Sequence, residues 1–592
     1  MGSRDRPELR LTPNARKVLQ ARYLRRDGSG NVVETPEELF MRVARNVAAP
    51  ERNFPGGSEE VAVRWTDAFY AFMARQEFLP NSPTLMNAGR ELGMLSACFV
   101  LPVEDSIEGI FDTVKHAALI QRAGGGTGFD FSRLRPQGDT IRTSGGKSSG
   151  PLSFMRVFSR ATEAIQQGAF RRGANMGILR IDHPDVISFI GAKADLRELT
   201  NYNISLAIPD SFMEALIHRP ATPHEVVNPR TGERSRLQRL DGKGPWTVGQ
   251  IFDLIVDEAW RTGEPGLLFI DRVNEANPTP AVGRIEATNP CGEQPLLAYE
   301  SCNLGSINLS SFVRDDGGKA RFDEDGFRAA VAMGVRFLDD VIEMNRYPVP
   351  QSEAISRANR KIGLGLMGLA DALFLLKIPY DSDEGIATGE RAMAILNDAA
   401  HAASEALARE RGPFPNWKGS LWDVVHHRAQ RNACTTTIAP TGTISILADC
   451  SGGIEPIYGL VFRRNILDGA GLLEVNRHFE RAAKERGFYS ESLMERIARE
   501  GSIARMNEIP ADVRRVFVCA RDIAPDWHIR MQAAFQHHCD ASIAKTINFP
   551  ADAPREVVRE IFFLAYRERV KGVTVYRDRS RDEQPMALDP AD

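Results

Sequence analysis

Ser96–Leu101 reads SACFVL, Ser106–Ala123 reads SIEGIFDTVKHAALIQRA, and Gly124-Gly125-Gly126-Thr127-Gly128 follows at once. A short apolar run, an amphipathic helix and a glycine turn in this order predict one α/β unit. The alternation recurs at NISLAI (Asn203–Ile208), CTTTIAP (Cys434–Pro440) and KGVTVY (Lys571–Tyr576). From about residue 95 the chain therefore reads as α/β with largely parallel strands. Upstream the period is helical. Thr35-Pro36-Glu37-Glu38 combines an N-cap, a proline at the first helical position and a capping-box glutamate, and Leu39, Phe40, Val43 and Val47 follow at helical spacing. Trp65, Phe69, Phe72 and Met73 repeat the pattern. Residues 1–94 are expected to form a helical domain, 95–580 the α/β body, and 581–592 a disordered tail. Between Pro220 and Gly244 the polar NPRTGERSR suggests a surface excursion or hairpin rather than a domain boundary. Near the end, PREVVREIFFLAYRERVKG predicts a helix stopped by Gly572, with VTVY as a last strand.

The 592 residues are 43% hydrophobic and 26% charged, with a net charge of −4. That balance is ordinary for a globular protein and argues against a nucleic-acid footprint over the whole surface. The N-terminus MGSRDRPELR has no apolar core of a secretory signal, and no apolar run is long enough to span a membrane. Seven scattered cysteines do not read as a secreted disulfide framework. A reducing cytoplasm follows as the expectation, with any disulfide transient and catalytic.

The chemistry is expected in Asn289–Cys302, NPCGEQPLLAYESC. Asn289, Cys291 and Glu293 alternate, so an extended segment would point all three to one side. Pro290 stiffens the approach, and Gly292 removes a side chain between the two reactive residues. A buried structural cysteine is the common alternative for a lone Cys. Zinc does not fit, because neither the gap from Cys291 to Cys302 nor Cys291-Gly292-Glu293 has ligand-pair spacing. His537-His538-Cys539-Asp540 is likewise read as no metal site, since adjacent ligands on a helix diverge.

Other stretches are less specific. Gly124–Gly128 fails both the dinucleotide and P-loop fingerprints and reads as a turn. Pro440-Thr441-Gly442-Thr443-Ile444-Ser445 could set backbone N–H groups around a phosphate. Asn81-Ser82-Pro83-Thr84-Leu85 reads as a helix stop, and Gln167–Asn175 as a basic loop suited to nucleotide contact.

Taken together, NSPTL at Asn81, SACFVL around Cys98, DSIEGIFDT at Asp105, AGGGTG at Ala123, NPCGE at Asn289, ESCNLGSINL at Glu300 and APTGTISI at Ala439 resemble blocks of the catalytic subunits of ribonucleotide reductases, in family order. The resemblance spans roughly residues 15 to 585. It implies a ten-stranded α/β barrel with NPCGE on a central finger loop. Carried over, Cys291 is the transient thiyl that removes the substrate's 3′ hydrogen, Glu293 takes the 3′-hydroxyl proton, and Asn289 orients the ribose hydroxyls. Cys98 and Cys302 supply two reducing equivalents and become a disulfide as the 2′-hydroxyl leaves as water.

Ser82, Ala97, Cys98, Gly126, Asn289 to Glu293 (with Pro290 and Gly292) and Pro440, Thr441, Gly442, Thr443 and Ile444 match substrate-contacting positions, the last five at the phosphates. Ala97 stands where relatives often have serine, so its contact is through backbone. Asp105, Ser106 and Arg135 match a deoxynucleotide effector site at a dimer interface, with loops Thr143–Ser149 and Gln167–Asn175 relaying effector identity. The late blocks ASIAKTINFP and KGVTVYRDRSRD resemble the adenosylcobalamin-dependent class. Tyr576 alone stands where a radical relay between subunits has paired tyrosines, and D-x-H-x-x-G is absent. The resemblance thus implies a cytoplasmic, homodimeric ribonucleoside-diphosphate reductase using adenosylcobalamin, without an ATP/dATP on-off switch. No cysteine follows Cys539, so an internal tail is unsupported; truncation of the chain, another polypeptide and direct access of a thioredoxin- or glutaredoxin-type reductant are the readings left open. The alternatives are a large subunit activated by a separate radical protein, and a nucleotide-binding regulatory paralogue.

Overall fold

The computed structural model describes residues 7–141, 145–165, 173–465, 471–578 and 580. The expected tail at 581–592 and parts of both relay loops, 143–144 and 167–172, lie outside the described residues.

Five parallel strands run in chain order: β1 (Cys98–Pro102), β2 (Gly126–Asp130), β3 (Asn175–Arg180), β4 (Tyr202–Ile208) and β5 (Gly266–Phe269). A second parallel set contains β6 (Ser301–Asn308), β7 (Ile362–Met367), β8 (Thr546–Phe549) and β9 (Gly572–Arg577), with β6 beside β7 and β8 beside β9. The two sets meet antiparallel at β6/β1 and at β9/β5.

The gap between β7 and β8 is filled by residues 434–439. This irregular tenth stave bridges Thr436 to Leu364 and Ile438 to Ile543. It stays irregular because some of its amides serve a side chain instead of a ladder. One Asp540 carboxylate oxygen accepts from Thr435 N (2.8 Å), Thr435 Oγ1 (2.8 Å) and Thr436 N (3.3 Å). Two five-stave halves thus close into a ring, as the ten-stranded α/β barrel requires.

The N-terminal helices are α1 (Pro13–Arg22), α2 (Pro36–Val47), α3 (Glu59–Ala74) and α4 (Ser82–Asn87). The Thr35/Glu38 capping box forms as read. This region shares its core with the barrel: Phe72 stacks on Phe78 at 4.9 Å, and Phe78 meets Phe337 edge-on at 5.1 Å. Phe78–Pro80 is itself a strand, paired antiparallel to β6.

Three local readings change. Asn81-Ser82-Pro83 starts α4 rather than ending a helix: Asn81 Oδ1 accepts Thr84 N at 2.9 Å, and proline is tolerated in the first turn. Gly126 and Gly128 belong to β2, not to a turn. Gly572 opens β9, the preceding helix (Arg555–Arg567) ending at Glu568 with Arg569 at φ 58°. The Pro220–Gly244 excursion is a hairpin of Glu225–Val227 and Arg234–Arg236, as expected.

Candidate active site

Ala287–Thr288 and Pro295–Leu296 pair antiparallel, and residues 289–294 form the loop between them. The segment is a loop tip as expected, closed by a tight turn rather than by extended alternation of its side chains. Gly292 N donates to Asn289 O at 3.0 Å, and Asn289 N donates to Gln294 O at 3.1 Å. Gly292 sits at φ +82°, where a Cβ would be strained. Asn289 Oδ1 accepts Gln294 N at 3.0 Å.

The barrel wall is cut away to admit this hairpin. A Cβ on Gly128 would stand 1.7 Å from Thr288 O, and one on Gly126 2.9 Å from Pro290 Cγ. Three residues grip the loop. Asn203 Nδ2 donates to Pro290 O (2.8 Å), while Thr437 Oγ1 and Ser542 N both donate to Glu293 O (2.9 Å each).

Asn289 and Glu293 are buried and Cys291 is exposed, yet all three line one cavity of about 340 Å³. Ser82, Ala97, Cys98, Gly126, Pro290 and Pro440 to Ile444 line it too, so the sequence-predicted substrate residues converge, except Gly292. Gly292 lines a second cavity of about 470 Å³ on the other side of the hairpin. Cys291 belongs to both walls. Tyr23, not anticipated from sequence, reaches Ser82 Oγ through its hydroxyl at 2.7 Å.

Cys98 and Cys302 are direct register partners across the antiparallel β1/β6 seam. Such partners have Cα atoms about 4.5–5.5 Å apart, within the range a disulfide needs. Neither sulfur is in a disulfide. Asn289 Nδ2 lies 3.1 Å from Cys98 Sγ, tying the pair to the hairpin. Burial pushes the Cys302 thiol well up from its ordinary value; Cys434 adds to this and Lys361 opposes it.

Residues 9–93 match the family description "Ribonucleotide reductase, all-alpha domain", and residues 96–576 match "Ribonucleotide reductase, barrel domain". The chain belongs to the ribonucleotide reductase family. It is 45% identical over 645 residues to "Vitamin B12-dependent ribonucleoside-diphosphate reductase" of Thermoplasma acidophilum, covering 100% of this chain and 82% of that protein. The protein of the same description from Mycobacterium tuberculosis is 47% identical over 588 residues, covering 99% and 82%. Among solved structures, the "Actinobacillus ureae class Id ribonucleotide reductase alpha subunit" superposes with a TM-score of 0.76 over 97% of this chain and 98% of that one; at 23% identity this likeness speaks to the fold.

In this ribonucleotide reductase the second cavity offers a mixed wall. Leu268, Val573 and Val575 give it apolar surface, and Glu455, Asn548 and Tyr576 give it polar groups. Such a wall fits a large organic group bearing amides and a nucleoside. No group of His, Cys, Asp or Glu among the described residues is arranged to hold a metal ion. Asp540 pairs instead with His401 Nε2 at 2.8 Å. No described helix is long and apolar enough to cross a membrane.

At the start of the helix α5 (Ile107–Arg122), Ser106 Oγ accepts Gly109 N at 3.0 Å. Arg135 Nε donates to Asp105 Oδ2 at 2.9 Å, so the three expected effector residues lie together, away from both cavities. Asn203, Thr437, Ser542 and Gly128 were missed from sequence. Only the glycine run Gly124–Gly128, read as a turn, hinted at a close approach there.

Proposed function

We propose that the chain is an adenosylcobalamin-dependent ribonucleoside-diphosphate reductase that converts ribonucleotides to 2′-deoxyribonucleotides. The observation that carries this is the pairing of Cys98 with Cys302 beside a hairpin tip whose cysteine faces two cavities. The relatives' printed names supply the cofactor and the diphosphate.

The substrate occupies the first cavity, its phosphates at Pro440 to Ile444 and its ribose against Asn289, Cys291 and Glu293. The cofactor is held in the second cavity by the apolar wall and by Glu455, Asn548 and Tyr576. When bound there, adenosylcobalamin supplies the initiating radical by Co–C homolysis.

Cys291, once it has lost its hydrogen atom, takes the 3′ hydrogen. Glu293 accepts the 3′-hydroxyl proton, for which a carboxylate within hydrogen-bond reach is required. Asn289 holds the ribose hydroxyls. Cys98 and Cys302 then deliver two electrons and two protons, the 2′-hydroxyl leaves as water, and a disulfide remains. Enclosure by the barrel keeps competing reductants from the radical.

Asp105, Ser106 and Arg135 bind a deoxynucleotide effector at the interface of a homodimer. Ile107 and Phe111, one helical turn apart on α5 and 60% and 51% exposed, support that interface. A thioredoxin-type dithiol regenerates the enzyme.

The test is formation of dNDP from NDP with adenosylcobalamin and dithiothreitol and no other protein. Product is expected, and Cys291→Ser should reduce it by more than about 10⁴-fold while nucleotide binding persists. Product that forms only with a second protein, or forms normally in Cys291→Ser, overturns the reading.

A further inference from the structure

We infer that the two thiols of the redox pair have different duties during regeneration. A dithiol reductant attacks Cys98, Cys302 is the sulfur that departs, and Lys361, anchored by Glu300, is the positioning charge that receives it. This rests on the functional reading above and deepens it.

The two sulfurs differ in access. Both are buried in one apolar cluster with Leu304 and Ile178, but Cys98 also lines the first cavity together with Asn289 and Cys291, and Cys302 lines neither cavity. A reductant entering the mouth of the barrel meets Cys98 first. In thiol–disulfide exchange the sulfur that is attacked and the sulfur that leaves are set by access and by the stability of the leaving thiolate. Access fixes the first of these here.

Attack on Cys98 makes Cys302 the departing sulfur, and what lies beside Cys302 bears on how readily it leaves. Strands β6 and β7 are parallel with Asn303 opposite Ile362, so one residue back on each strand places Lys361 beside Cys302. Side chains at matched positions of neighbouring strands project from the same face. Cys302 thus lies between its register partner Cys98 on β1 and Lys361, the residue just before β7.

The Lys361 and Glu300 side chains are 2% and 0% exposed, with Nζ 2.7 Å from Oε2. Glu300 is in turn fixed by Asn359 Nδ2 (2.7 Å) and Leu297 N (2.8 Å). A buried ion pair is costly compared with packed apolar groups and is weak evidence for stability. Its place next to a redox sulfur gives it a chemical use. Burial pushes the Cys302 thiol up; Cys434, Glu300 and Glu293 add to this, and Lys361 opposes it by favouring the thiolate.

The step balances as follows. A thiolate of the dithiol bonds to Cys98 Sγ, the Cys98–Cys302 bond breaks, and its electron pair leaves on Cys302 beside Lys361. The reductant's second sulfur then attacks its partner in the mixed disulfide and releases Cys98. The reductant departs as a cyclic disulfide, oxidised by two electrons. The two protons it brought end on Cys98 and Cys302.

The mapping and reduction arms of the test need no cofactor. Full-length protein in a Cys291→Ser background is oxidised with diamide, and peptide mapping checks for the Cys98–Cys302 crosslink. Glutathione is then added, the reaction is acid-quenched, and the mixed disulfide is mapped. It is expected on Cys98; its appearance on Cys302 overturns the inference.

Reduction by dithiothreitol should slow about tenfold in Lys361→Met. Lys361→Met/Glu300→Gln, which leaves no buried carboxylate unpaired, should slow in the same direction, and Lys361→Arg should restore the rate. Unchanged rates in both Met variants overturn the role of Lys361. If diamide, and turnover of the native chain without reductant, both fail to form a Cys98–Cys302 crosslink, the functional reading itself falls and takes this inference with it.

Discussion

At the scale of single residues, the hairpin that carries Cys291 depends on an atom that is not there. A Cβ on Gly128 would overlap Thr288 O, and backbone cannot yield as a flexible side chain can. Gly128→Ala should therefore push the hairpin out of the barrel, costing about 1–3 kcal/mol of stability and a larger share of kcat than of nucleotide affinity. Calorimetry and steady-state kinetics read the two separately; unchanged kcat would mean that the hairpin has another resting place. Cys291, Asn289 and Glu293 were legible in the sequence because three reactive residue types within five positions have no packing explanation. Gly128 and Lys361 were not. What Gly128 must avoid comes from a segment 160 positions later in the chain, and what Lys361 faces depends on the register of two strands. The alternation argument reached the right convergence through the wrong geometry, since the residues meet across a turn.

Among elements, the irregular stave at 434–439 is the least expected and has the most to hold. Its Thr437 hydroxyl grips Glu293 O, and its neighbours Thr435 and Thr436 hang from Asp540. CTTTIAP reads as a strand but forms only isolated bridges, and nothing local says that a carboxylate 105 residues on replaces part of its ladder. Asp540 is held ionised chiefly through His401 and the Thr435 amide and hydroxyl, which outweigh its burial. His401 is desolvated, which lowers its pKa, but Asp540 outweighs this and the net shift is upward. A histidine raised on folding contributes stability that is complete below its unfolded pKa, about 6.5, and is lost as pH rises through the higher folded value. The denaturant midpoint should therefore fall across that interval, and His401→Gln should flatten the dependence. A wild-type midpoint that climbs steadily through the same interval would contradict the assignment.

Across the whole molecule, the helical region is fastened to the barrel by charge as well as by the aromatic core. Asp339, fully buried, meets Arg360 (2.8 Å), Arg411 (3.0 Å) and Arg431 (3.3 Å), and Arg411 reaches on to Glu51 (2.6 Å) beyond α2. Asp339→Asn would leave buried guanidinium groups short of a counter-charge and should destabilise by about 3–5 kcal/mol, measured by denaturant unfolding; a shift under about 1 kcal/mol would show that solvent reaches the cluster. Periodicity predicted two regions and the family resemblance implied a barrel, yet neither showed this junction, because its charges are scattered from Glu51 to Arg431. The antiparallel seam has a mechanical consequence of its own. Its two sulfurs come from opposite half-rings, so every catalytic cycle would button the ring shut and every regeneration would unbutton it. Closing a loop of about 200 residues in the denatured chain is worth up to about 5 kcal/mol, so the spent enzyme should outlast the charged one in guanidinium, and the catalyst should be at its sturdiest when it has nothing left to give.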